Sequence, residues 1–165
     1  MMFAAPSKRL VFIAPVLIPL LAVLAGCGGE TTAPAGDAPP VLAERHDNFE
    51  AISDNFKAIR AQLEGESPDL AAIEAAAIDI NQRAERISGH FPEGTGRDAG
   101  WDTEALPTIW EKPEEFTAAQ QKLLEESAAM MTLAASGDAA AVGAQVAELG
   151  GACKNCHDTF RLDDD

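Results

Sequence analysis

Residues 142–160 read VGAQVAELGGACKNCHDTF, and the stretch carries two patterns at once. Val142, Val146, Leu149, Cys153, Cys156 and Phe160 recur in steps of four and three, the period of one face of a bundle helix. Embedded in that stripe is Cys153-Lys154-Asn155-Cys156-His157, a C-x-x-C-H motif of the kind that attaches a c-type haem. Each thiol can add to a haem vinyl group as a thioether, and the adjacent imidazole can bind the iron as an axial ligand. On a helix the two cysteines and His157 stand at i, i+3 and i+4 and project from one face, which suits a flat macrocycle held along its edge and from below. Because the cysteines occupy core positions of the stripe, the haem must insert between helices.

Two other chemistries use paired cysteines. A structural zinc site wants four ligands, and the remaining candidates for the missing ones are Cys27, His46 and His90. A thioredoxin-like redox pair follows a strand within a βαβ pattern, and no strand signal precedes Cys153.

Upstream of this helix three more are predicted. From Val41, the positions Leu42, Arg45, Phe49, Ile52, Phe56, Ile59 and Leu63 alternate steps of three and four, a long bundle helix. Ser67 as N-cap with Pro68 at the first helical position then opens a second, striped by Leu70, Ile73, Ala77, Ile80, Ala84 and Ile87 as far as Gly89. Residues 89–112 form a Gly- and Pro-rich connection too long for a simple turn, expected to cross one end of the bundle. Pro113, Glu114 and Glu115 suit the start of a third helix, whose apolar face holds Phe116, Leu123, Leu124, Met130 and Met131 and which Gly137 ends. Asp138 can cap the fourth. Strand content is expected to be close to nil in so Ala-rich and β-branch-poor a chain. The predicted fold is all-α, an antiparallel up-down-up-down four-helix bundle with the haem in its core.

The first 26 residues read as a targeting segment. Lys8 and Arg9 precede an apolar run from Leu10 to Gly26, with Pro15 and Pro19 inside it, which favours a cleaved signal peptide over a membrane span. Leu24-Ala25-Gly26-Cys27 resembles the bacterial lipobox, in which the cysteine becomes the lipidated first residue of the mature chain. An ordinary secretory peptide with a free cysteine is the alternative. The stretch 27–40, rich in Gly, Ala, Thr and Pro, reads as a flexible linker. Residues 41–165 then make one domain with one core. Export and the haem motif support each other, since thioether attachment takes place outside the cytoplasm; the chain is expected on the periplasmic side, held to the membrane only by its lipid.

The 165 residues carry a formal charge of −15, and loss of the first 26 removes Lys8 and Arg9 but no acid, leaving −17. Such a surface repels nucleic acid and anionic headgroups. It serves solubility first, and can also steer a basic partner.

Taken together, the residues from Val41 to Arg161 resemble the class II c-type cytochromes, specifically the cytochrome c′ family. The likeness rests on the late C-x-x-C-H at 153–157, Arg161 four residues beyond the histidine, Arg45 and Phe56 in the first helix, Phe91-Pro92 with Gly94-Thr95 after the second, and Ile109-Trp110 before the third. The resemblance implies one covalent haem c through Cys153 and Cys156 and His157 as axial iron ligand. It further implies a five-coordinate, high-spin iron that binds nitric oxide and carbon monoxide, and a homodimer formed through the first two helices. By the same resemblance Phe49 faces the iron on the distal side, where low-spin relatives supply a methionine. No methionine lies between Val41 and Glu111, and a phenyl ring cannot ligate iron. Some members with a crowded distal face bind nitric oxide on the proximal side after losing the histidine.

The remaining candidates each have two readings. Arg45, a guanidinium on a core stripe, needs an anionic partner such as a haem propionate, or an escape to water. Arg161 corresponds to the family's arginine beside the proximal histidine, or is a cation at a helix C-terminus. His46 lies beside the stripe and is the one nearby candidate for a second imidazole ligand. Met130 and Met131 read as core filler rather than ligands. His90 reads as a loop residue. Trp101 and Trp110 cover the haem or a bundle end, or simply pack in the core, the favoured reading. Two function classes follow: a gas-binding haem protein that takes nitric oxide or carbon monoxide, and an electron carrier that cycles Fe(III) and Fe(II) with redox partner proteins. An enzyme is disfavoured, because no acid–base pair is placed over the distal face.

Overall fold

The computed structural model describes residues 36–162. The signal segment, the lipobox with Cys27 and most of the linker lie outside the described residues. Four long helices follow one another: α1 (Pro40–Leu63), α2 (Leu70–Ala84), α3 (Pro113–Ser136) and α4 (Ala139–Phe160). Loops of a few residues join α1 to α2 and α3 to α4, which makes each pair an antiparallel hairpin. The α2–α3 connection carries two 3-10 turns, Ile87–His90 and Arg97–Ala99, and a one-turn helix, Thr108–Glu111. The only β contact among the described residues is a single antiparallel bridge between Ala105 and Arg161. None of the described helices is long and apolar enough to cross a membrane.

Local chemistry sets the helix ends. Pro40 and Pro113 stand in first turns, where an absent N–H loses nothing. Gly137 closes α3 at φ 82°, a left-handed conformation that a Cβ would penalise. Asp138 caps α4 by accepting from the Ala141 N–H at 2.9 Å, as expected. The start of α2 corrects the sequence reading. Its N-cap is Asp69, not Ser67: the Asp69 carboxylate accepts from the N–H groups of Ala71 (3.0 Å) and Ala72 (3.1 Å), two unpaired donors that a Ser67 hydroxyl does not reach.

The stripes predicted for all four helices converge on one core. Ile59, Ile73, Ile80, Met130, Val142 and Leu149 are fully enclosed. Ile87, placed on the second stripe, is buried as well, though it sits in the first 3-10 turn beyond the α-helical end at Ala84. Polar side chains join helices inside the core. Gln120 Nε2 donates to the Ala84 carbonyl at 2.8 Å, and Asn81 Nδ2 donates to the Leu124 carbonyl (3.0 Å) and to Ser127 Oγ (2.8 Å). Each makes a buried amide tolerable by giving its donor a carbonyl that helix geometry leaves free, or one with a spare lone pair. Around the bundle, α1 packs on α2, α2 on α3 and α3 on α4, whereas α1 and α4 scarcely meet. That gap positions the site.

Candidate haem site

A cleft of about 1050 Å³ opens between α1, from Leu42 to Lys57, and the C-terminal half of α4. It is the size of a cofactor site, which runs to about 1,000 Å³. From α4 come Cys153, Cys156, His157 and Phe160, the one-face arrangement expected of the motif; from α1 come Arg45, Phe49, Ile52 and Phe56. A smaller cavity of about 40 Å³ continues it inward between Phe49, Ile52, Cys153 and His157, and is closed by Ile87, Leu123 and Gln120. The cleft therefore has phenyl and branched aliphatic walls and a pair of cysteine sulfurs beside an imidazole, the lining that a flat apolar macrocycle with vinyl edges needs. The two cysteines are not joined in a disulfide, and both are half-buried. Burial pushes the Cys156 thiol up to about 11, with the neighbouring Cys153 adding to the rise, and burial raises Cys153 likewise.

Phe49 is braced rather than loose. Its ring meets Phe91 edge to face at 6.1 Å, and Phe91 in turn meets Phe116 at 5.0 Å, which meets Phe160 at 5.2 Å. This chain of aromatic contacts runs from α1 through the 87–91 turn to α3 and α4, so the rings on opposite walls of the cleft are set by common packing.

Arg45 does not escape to water. It is buried, at 5% exposure, and its Nη2 donates to the Thr95 carbonyl (3.0 Å) and to Thr103 Oγ1 (2.8 Å). Its Nη1 makes a longer contact to Thr95 Oγ1 (3.5 Å), and the guanidinium lies 4.7 Å over the Phe91 ring. All these partners are neutral, and burial lowers the pKa of the group. A buried guanidinium held in place without a carboxylate among these partners is poised for an anion entering the cleft. Arg161 is differently placed: it is the first residue beyond α4, it also lines the cleft, and its Nε pairs with Glu104 Oε2 at 2.5 Å. Thr95, Thr103 and Glu104 all lie in the connection, where no periodicity marks them.

Other candidates fall away from the centre. His46 sits at the rim, 76% exposed and 3.8 Å from Glu50. Met130 is wholly enclosed and Met131 packs on the core, and neither lines the cleft. The tryptophans fasten the connection and do not cover the cleft: Trp101 Nε1 donates to the Gly94 carbonyl and Trp110 Nε1 to the Phe91 carbonyl, each at 3.0 Å. Trp110 lies so close to Gly96 that a Cβ there would stand 2.5 Å from the indole. His90 ends the first 3-10 turn, with Nδ1 buried and no hydrogen-bond partner.

Comparison with known proteins agrees with this geometry. The family model described as Cytochrome C′ matches residues 40–161, the whole bundle. The chain belongs to the cytochrome c′ family. Among curated members, the cytochrome c′ of Pararhodospirillum photometricum is 38% identical over 117 residues, 71% of this chain and 92% of its own. Among solved structures, the cytochrome c′ of Rhodobacter spheriodes superposes with a TM-score of 0.70 at 32% identity, covering 78% of this chain and 100% of that one. A second cytochrome c′, described as having an unusual ligand-controlled dimer dissociation, gives a TM-score of 0.70 at 26% identity, covering 79% of this chain and 100% of that one. The family binds one covalent haem c, and this chain is accordingly a haem protein with Cys153 and Cys156 near its C-terminus.

Proposed function

We propose that this cytochrome c′ is a gas-binding haem protein in which Cys153 and Cys156 carry the haem and His157 is the only protein ligand to its iron. When bound, the haem would supply an iron able to take a diatomic ligand such as nitric oxide or carbon monoxide. The observation that carries this reading is the lining of the cleft: Phe49 faces it from α1, and no methionine lines it. A phenyl ring offers neither a lone pair to the iron nor a hydrogen bond to a bound ligand, so small neutral ligands are the least disfavoured. Arg45 orients the haem by receiving a propionate, and Arg161 flanks the His157 side. Absorption and electron paramagnetic resonance spectra of the purified protein, with and without nitric oxide and carbon monoxide, test this. Spectra insensitive to both gases would refute it.

Electron transfer is the second reading, favoured by a cleft along α1 and α4 that opens to solvent and would leave an edge of the bound haem near it. Rapid exchange with a redox partner protein combined with failure to bind either gas would select it. We infer a homodimer from the family resemblance and from the relative with ligand-controlled dissociation; sedimentation with and without carbon monoxide tests it.

The placement outside the cytoplasm rests on the signal-like segment 1–26 and on the thioether chemistry. We read Cys27 as lipidated and 27–40 as the tether of the bundle. Stable anchoring needs more than one acyl chain. Mass spectrometry of the mature N-terminus decides this, and an unmodified Cys27 or cleavage elsewhere refutes it.

A further inference from the structure

We propose that Glu104 is a positioning residue for the haem site: it holds Arg161 at the His157 side of the cleft and cancels its charge there, lowering the reduction potential of the iron. This rests on the reading that Cys153, Cys156 and His157 hold the haem.

The argument starts from the backbone. Past α4 the chain turns extended and runs antiparallel to residues 104–106: Leu106 N donates to the Phe160 carbonyl (3.1 Å) and Leu162 N to the Glu104 carbonyl (2.8 Å), around the Ala105–Arg161 bridge. Thr108 Oγ1 adds a 2.6 Å bond to the Thr159 carbonyl, in the last turn of α4. The segment is pinned at its other side too, since Thr103 Oγ1 accepts from Arg45 and from the Ala105 N–H (3.3 Å). Two neighbouring residues of one strap thus hold two of the cleft-lining arginines, Arg45 and Arg161, from opposite walls. Thr103 is neutral and leaves the Arg45 charge available to an anion. Glu104 is a carboxylate and neutralises Arg161.

That difference has an electrical consequence. A cation near the iron favours Fe(II) over Fe(III), and a carboxylate paired with it removes most of that effect beyond their own separation. Exposed pairs add little to stability, and Arg161 and Glu104 are 40% and 47% exposed, so the role expected of this one is electrostatic rather than a large share of folding stability.

The test uses the full-length haem protein. Haem staining on denaturing gels first establishes covalent haem in each variant; its absence from the wild type would overturn the haem assignment and this proposal with it, an outcome distinct from unchanged potentials in haem-loaded protein. Midpoint potentials are then measured at low ionic strength, where screening is least. Glu104→Gln is expected to shift the potential upward, Arg161→Gln downward, and the double variant to return close to wild type. An unchanged potential in Glu104→Gln, or a double variant displaced as far as either single one, overturns the proposal. If Glu104→Gln fails to mature, Glu104→Ala takes its place in the same cycle: an upward shift supports the pairing, and no shift or a downward one overturns it. A purely structural clamp would lower the unfolding temperature of both variants and leave their potentials in place.

Discussion

Phe49 and Phe91 meet edge to face with ring centroids 6.1 Å apart, so the ring that closes the cleft from α1 is held by the turn that follows α2. The same Phe91 ring carries the Arg45 guanidinium 4.7 Å above it. Phe49 and Arg45 therefore share one support; on the proposed reading these are the distal ring and the propionate's cation, and disturbing Phe91 should change both.

Replacing Phe49 by Ala is expected to raise carbon monoxide affinity, because the ring supplies steric crowding and little else. The ring is only partly enclosed, so the loss of stability should be on the order of 2–3 kcal/mol, below the roughly 3–5 of a fully buried phenylalanine. Phe49→Met should convert the haem toward a six-coordinate, low-spin state. Carbon monoxide titration and denaturant unfolding of the two variants measure these effects; unchanged affinity in Phe49→Ala would remove this ring from the distal face.

Capping distinguishes two neighbouring candidates. Asp69→Ala should destabilise the bundle by about 1 kcal/mol, the usual cost of a lost N-cap. Ser67→Ala should stay within roughly 0.5 kcal/mol of wild type, as an exposed surface change does. Equal losses in urea unfolding would contradict the Asp69 cap.

Acid should expose His90. Burial of its ring lowers its pKa below the ordinary imidazole value; Glu44 opposes this, and Arg86 and Arg45 reinforce it. The unfolded chain takes up this proton near pH 6.5, while the folded chain does so only at lower pH, so stability should fall as the pH drops from about 6.5 toward the folded value. A His90→Asn variant should lose that part of the slope, as read from unfolding midpoints between pH 5 and 7.5; the full wild-type slope in the variant would show that the acid sensitivity lies elsewhere.

The four helices and the position of the cysteines were legible because burial imposes a period of three and four on Leu42 to Leu63 and on Val142 to Phe160. Asp69 was hidden by Ser67-Pro68, which satisfies the same N-terminal rule two residues earlier; only the reach of each side chain to particular N–H groups separates them. Asn48, Gln120 and Ser127 are buried yet polar, and a stripe of apolar residues passes over them because their partners are carbonyls or hydrogen-bonding side chains of other helices or turns of the same one. The partners of Arg45 lie 50 and 58 residues away. Pairing at that distance is a product of the tertiary fold, and so neither Thr103 nor Glu104, the partner of Arg161 57 residues away, carries a local mark, while Thr95 is marked by the family resemblance and not by periodicity.

The most direct test of the central claim is the spin state of the ferrous wild-type protein, taken from its absorption and resonance Raman spectra before any gas is added. With His157 as the sole protein ligand and Phe49 over the open face, the expected result is a five-coordinate, high-spin iron that becomes six-coordinate on adding carbon monoxide. A low-spin, six-coordinate spectrum in the gas-free protein would contradict it.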